Sequence, residues 1–171
     1  MTQFNGTGAL ESSRSRRPGS LSGTLQFATF YVEGRLYGID VRGVQEVVKP
    51  MPMTRIPLSP PYITGLINLR GQIATAIGVR ELFGIEQKPT EALMNIVCKA
   101  FGVLLSFQVD EIGDVLEVSR DDFENVPTTV GEHVRQFLGG VYKVNDSLLS
   151  VIDVEPVGKY LGLMSSKASE Q

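Results

Sequence analysis

The chain of 171 residues contains one cysteine, one histidine and no tryptophan. A single cysteine excludes a disulfide framework within the chain and any multi-cysteine metal site. A single histidine, His133, excludes sites that need paired imidazoles. A basic excess is also missing. The 16 Lys and Arg residues face 19 Asp and Glu, for a net charge of −3. Phosphate-backbone binding needs clustered cations, so nucleic acid is not an expected partner. Long apolar runs are lacking too. Ile73 to Val79 and Leu148 to Val154 are strand-sized and broken by Thr75, Gly78, Ser150 or Asp153. A membrane-spanning helix needs about 20 largely apolar residues, so direct membrane insertion is not expected. Arg14, Arg16 and Arg17 lead into Pro18-Gly19-Ser20 rather than an apolar stretch, which is not a signal-peptide pattern. These features together point to an intracellular, reduced setting in which Cys98 can stay a free thiol.

Catalytic patterns are equally scarce. Neither common Gly-rich phosphate loop occurs. No serine sits in a Gly-x-Ser-x-Gly elbow. His133 lies in the polar stretch Gly131-Glu132-His133-Val134-Arg135, which suits an exposed loop or helix. Cys98, between Val97 and Lys99 in an apolar strand, reads as a buried inert thiol. Asp121, Asp122 and Glu124 lack the alternating ligand spacing of a calcium loop and read as a solvated acidic turn. The expectation is a protein that is not an enzyme and carries no cofactor or metal.

What is present is turn chemistry and strand patterning. Hydrophobic residues make up 42% of the chain, beside 18 Gly and 9 Pro. That suits a packed core built from many short elements. Residues 1–22 are rich in Gly, Ser, Thr and Arg and read as a flexible tail. Residues 163–171 read as a frayed end. Between them, Leu25 to Val32 and Arg35 to Ile39 flank Glu33-Gly34 as a hairpin. Asp40 is placed to cap a helical turn before strand-like Glu46 to Lys49. Five prolines from Pro50 to Pro61 interrupt the chain. Gly65 to Leu69 and Gln72 to Val79 read as strands joined at Arg70-Gly71, before a short helix ended by Gly84.

The second half repeats this order. Strands are expected at Met94 to Lys99, Phe101 to Val109, Phe137 to Val144 and Ser147 to Asp153, then a helix from Val154 to Leu161. Tyr37-Gly38-Ile39-Asp40 is echoed by Phe107-Gln108-Val109-Asp110, and Gly65-Leu66-Ile67 by Gly140-Val141-Tyr142. The reading is mainly β: two small β-barrels, each too small for a robust core alone, packed together to bury more apolar area. The first is assigned to about residues 23–87 and the second to about 88–162, with a strand crossover between them allowed.

The most specific segments are Val44-Gln45-Glu46-Val47-Val48, Thr54-Arg55-Ile56-Pro57 and Gly65 to Ile73, with Asn68-Leu69-Arg70-Gly71 at the centre. Together with Val109-Asp110-Glu111-Ile112-Gly113-Asp114-Val115, they resemble the CheW-like coupling proteins of bacterial chemotaxis, over about Thr24 to Leu161. The resemblance implies two packed five-stranded SH3-like barrels with short helices. It also implies a non-catalytic adaptor, bridging the cytoplasmic tip of methyl-accepting chemoreceptors to the regulatory domain of a CheA-type histidine kinase. Such a protein is cytoplasmic and associates with membrane-bound arrays through its partners.

Position by position, the resemblance places Val44, Glu46, Asn68, Leu69 and Arg70 at a receptor-binding groove, with Glu46 and Arg70 paired by opposite charge. Val44 and Leu69 suit core packing equally well. Met51, Met53 and Arg55, on the proline-rich connection, match the kinase-binding side, although Met53 also suits inward packing. The chain departs from the family at Thr75 and Gly78, where a Pro and an Asp are usual. Service in a pilus-motility or other chemosensory pathway, or a small-molecule-binding double barrel, remain as alternatives.

Overall fold

The computed structural model describes residues 23–86 and 93–162. The two expected tails lie outside the described residues. Among the described residues eleven strands form: β1 (Thr24–Val32), β2 (Arg35–Asp40), β3 (Val44–Val48), β4 (Ile63–Leu69), β5 (Gln72–Gly78), β6 (Met94–Ala100), β7 (Val103–Val109), β8 (Glu111–Ser119), β9 (Phe123–Glu124), β10 (Leu138–Val144) and β11 (Ser147–Ile152). The short helices are α1 (Val79–Phe83), α2 (Glu132–Arg135) and α3 (Val154–Tyr160). Turn chemistry accounts for the hairpins. Glu33 and Gly34 take positive φ of 55° and 73°, as do Phe101 and Gly102 at 53° and 79°, the twist-matched geometry of two-residue loops. The second of these turns falls at Phe101-Gly102, one residue later than the Ala100 position expected from sequence. Gly84 ends α1 in the left-handed conformation at φ 72°.

The strands form two sheets. The six-stranded sheet has the order β8-β1-β2-β11-β10-β9, and the five-stranded sheet the order β3-β6-β7-β5-β4. Apart from two-residue β9, the orders correspond strand for strand. Antiparallel β8–β1 matches β3–β6, and parallel β2–β11 matches β7–β5. The sequence echo is therefore a topological repeat.

A division near Gln87 separates the repeats but not the sheets. Hairpin β1–β2 pairs with second-half strands, and hairpin β6–β7 pairs with first-half strands. Each hairpin is followed by a crossing at the same repeat position, Asp40 in one case and Asp110 in the other. Asp40 accepts from Arg42 N–H at 2.9 Å and caps a 3-10 turn over Val41–Gly43 that redirects the chain.

Period-two alternation sorts the apolar residues into three cores. The largest lies between the sheets. It takes Phe30, Val32, Tyr37 and Ile39 from one and Ile77, Ile96, Cys98, Leu105 and Phe107 from the other. Two smaller clusters fill the inner faces: Phe27, Val118, Tyr142 and Leu149 in one sheet, and Ile67, Leu69, Ala74, Ala76, Val97 and Leu104 in the other. Most buried apolar volume is thus shared, as expected for two units too small to stand alone.

Candidate functional site

The turn between β4 and β5 is held from two sides. Arg70 and Gly71 both take positive φ, 51° and 92°, the geometry of a tight hairpin turn. The Asn68 side-chain oxygen accepts from Gly71 N–H at 2.8 Å. From this turn the Arg70 guanidinium reaches an ion pair with Glu46 on β3. β3 and β4 are the two outer strands in the order of their sheet, so the pair draws opposite edges together. Val48 and Met51 support the same closure by packing on the cluster that contains Ile67 and Leu69.

The expected groove residues separate into two groups. Asn68 and Arg70 are exposed, and Glu46 is partly exposed beside them. Leu69 is buried and packs in the small core, so it braces the turn from inside instead of presenting an anchor. Val44 is half-buried against the large core. The apolar surface near the turn comes from a residue sequence reasoning passed over: Ile73, 56% exposed, in register with Asn68 across the hairpin. Val47, also exposed, lies on β3. Alternation along Ile73, Ala74, Thr75 and Ala76 was the available signal, because inward Ala74 and Ala76 turn Ile73 outward.

The proline-rich connection forms a separate surface. It is stitched to β4 by Thr54 and Leu66, whose N–H and C=O groups exchange bonds of 2.9 and 2.8 Å. The close approach requires Gly65, where a Cβ would lie 2.8 Å from Thr54 O. A cleft of about 580 Å³ opens here, lined by Met51, Met53, Arg55, Ile56 and Leu58 among others. Met53 is 39% exposed, and its sulfur accepts from Gln108 Nε2 at 3.4 Å. Met51 is the methionine that packs inward. Leu58 is fully exposed with φ 62°. The flanking Pro57 and Pro60 were its only trace in the sequence.

A third feature joins the sheets. Arg80 on α1 is 5% exposed and reaches Glu33 at 2.6 Å, Asp110 at 2.6 Å and the Glu86 carbonyl at 2.8 Å. Those bonds hold the guanidinium above even its ordinary high pKa, led by the hydrogen bond to Asp110 and opposed by burial. Gly78, in place of the usual Asp, makes no side-chain cap to α1. The Glu81 carboxylate folds over it, 2.0 Å from where a Cβ would stand.

His133 sits on α2 with Nε2 2.9 Å from the Leu82 carbonyl and its ring 5.5 Å from that of Phe137. Burial pushes the Cys98 thiol up to about 12. Among the described residues, no group of three or more His, Cys, Asp or Glu side chains is placed to hold a metal ion. No described helix is long and apolar enough to cross a membrane. The arrangement offers braced, partly apolar surfaces with fixed charges.

Comparison with known proteins matches residues 26–159 to the CheW-like domain. The chain is 29% identical over 136 residues to a chemotaxis protein CheW of Helicobacter pylori, covering 79% of this chain and 82% of that protein. It is 31% identical over 129 residues to a chemotaxis protein CheW of Bacillus subtilis, covering 75% and 83% respectively. The crystal structure of a CheW scaffolding protein from Thermoanaerobacter tengcongensis superposes with a TM-score of 0.71 at 29% identity, covering 78% of this chain and 91% of that one.

Proposed function

The chain belongs to the CheW-like family, and from that premise we propose that it couples chemoreceptors to a CheA-type histidine kinase without catalysing a reaction. Its role is that of a chemotaxis adaptor. The observation that carries the finer reading is the braced turn. Asn68, Arg70 and Ile73 face outward while Leu69, Glu46 and Gly71 fix the backbone beneath them. A helical receptor tip needs apolar anchors rimmed by polar groups, and Ile73 beside Asn68 and Arg70 supplies both. The cleft at Met53, Arg55 and Leu58 lies on the separate proline-rich connection, which suits a second partner, the kinase regulatory domain. An adaptor working this way sits in the cytoplasm and meets the membrane only through its receptor.

The test is a binding experiment. The full chain is titrated with a receptor cytoplasmic fragment and, separately, with the kinase regulatory domain, wild type beside Arg70→Ala. Selective loss of receptor binding supports the assignment. Equal affinity of wild type and variant for the receptor fragment would remove it.

A further inference from the structure

Alternation along β2 turns Arg35, Tyr37 and Ile39 to one face. Ile39 is sealed in the large core, but Tyr37 stops beneath a cleft of about 890 Å³. β2 and β11 are in parallel register at Tyr37–Ser150 and Gly38–Val151 only, so their earlier residues, Arg35 and Leu148 among them, border an opening. The chain around Pro127–Val134 supplies the facing wall, and Phe83, Leu138 and Val141 supply apolar lining.

Tyr37 and Arg35 are the polar groups that this face of β2 brings to the cleft. Tyr37 is 6% exposed, and its ring is fixed by Phe30 at 6.0 Å and Phe83 at 5.4 Å. Its hydroxyl opens to solvent at the cleft, since no buried side-chain N or O among the described residues lacks a hydrogen-bond partner. Arg35 on the rim is exposed and enters none of the ion pairs among the described residues. Burial raises the Tyr37 phenol above its ordinary pKa, and the nearby Arg35 charge opposes that rise. Glu33, the carboxylate on the same rim, is committed to Arg80. The uncompensated charge of the cleft is therefore a single cation, beside the Tyr37 phenol and the hydroxyls of Thr129, Ser147 and Ser150.

We propose that this cleft is a binding site, separate from the adaptor surfaces, for a small aromatic carboxylate. The Arg35 guanidinium and the Tyr37 hydroxyl hold the carboxylate, and Phe83, Leu138 and Val141 receive the ring. A carboxylate satisfies both donors at once. One arginine is too little for a polyphosphate, and a cationic ligand would meet Arg35 with no free carboxylate to offset it. The cleft has the mixture of apolar lining and few convergent polar groups that small-ligand sites share.

The test uses indole-3-acetate as probe, titrated into the full chain and followed by backbone amide chemical shifts. Saturable shifts confined to residues 35–37, 130–134 and 147–150 are expected. Tyr37→Phe keeps the ring stack and removes only the donor, and Arg35→Gln alters an exposed side chain. Each should weaken the probe by about tenfold, the loss of one charge-assisted hydrogen bond. The methyl ester of the probe should bind at least as poorly as the acid does to these variants. The proposal is overturned by absence of saturable shifts in those segments, or by binding that survives both substitutions and esterification unchanged.

Discussion

Glu46 on β3 and Arg70 in the β4–β5 turn form an ion pair across the seam where the outer strands of the five-stranded sheet are drawn together. The Arg70 side chain is 71% exposed and that of Glu46 24% exposed. Such a pair is largely solvated, and its worth to folding is small. Arg70→Ala should therefore cost no more than about 1 kcal/mol in urea unfolding. The same change should weaken receptor-fragment binding much more, because it removes both a charge and the brace of the turn. A double-mutant cycle with Glu46→Gln, read on receptor binding, should show coupling. Strictly additive losses would mean that the pair does not act as a unit.

Arg80 presents the opposite balance. Its guanidinium is buried and serves Glu33, Asp110 and the Glu86 carbonyl, which belong to three different segments. Asp110 stands where the chain crosses between sheets, and it also accepts from Glu33 N–H at 2.8 Å. Arg80→Met preserves bulk but leaves carboxylates and a carbonyl without their donor. A loss of about 3 kcal/mol is expected in denaturant unfolding. A loss below about 1 kcal/mol would show that solvent replaces the guanidinium, since such a value is typical of exposed pairs.

The hairpins, the capped 3-10 turn at Asp40 and the helix ended by Gly84 were legible because each is dictated by a few neighbouring residues. The repeat was legible as well, through the echo of residues 37–40 in 107–110. The exchange of hairpins between sheets was not. Strand pairing partners are set by the shared core, where Phe30 and Tyr37 pack with Phe107 and Ile96, and local pattern carries no record of that choice. At the site, the resemblance put Glu46 and Arg70 at one groove, and their opposite charges then suggested the pair. The inward turn of Leu69 and outward turn of Ile73 needed the register of β4 on β5, which a flexible reading of strand ends leaves open. The burial of Met51 in preference to Met53 depends on how the proline-rich connection lies over β4, a long-range contact made possible by Gly65.

Cys98 gives a pH prediction with a definite sign. Burial raises its thiol from 9.0 to about 12. Below pH 9 both folded and unfolded chains carry the neutral thiol. Above it, the unfolded chain loses the proton while the folded chain keeps it, so the unfolded state gains stability. The contribution of Cys98 is thus present below pH 9 and is lost as pH rises toward 12. Between those values, unfolding free energy should fall more steeply for wild type than for Cys98→Ala, whatever the offset from the cavity. Parallel curves would contradict the burial effect. For the same reason the native thiol should resist alkylation at pH 8 and react once the chain is unfolded.

The proline-rich connection separates binding from stability at two neighbouring positions. Leu58 is fully exposed on the loop, so Leu58→Asp should leave the unfolding midpoint within error of wild type. If the cleft receives the kinase regulatory domain, the same substitution replaces an apolar contact with a charge and should weaken that complex at least tenfold, about 1.4 kcal/mol. Met51→Asp should behave differently. Met51 is partly buried and packs against the cluster that contains Ile67 and Leu69, so an aspartate there destabilises the fold as well as the complex. Calorimetric titration beside thermal unfolding distinguishes the two. A Leu58→Asp protein that binds the kinase domain with wild-type affinity would move the docking surface elsewhere, because no folding defect could then be masking the contact.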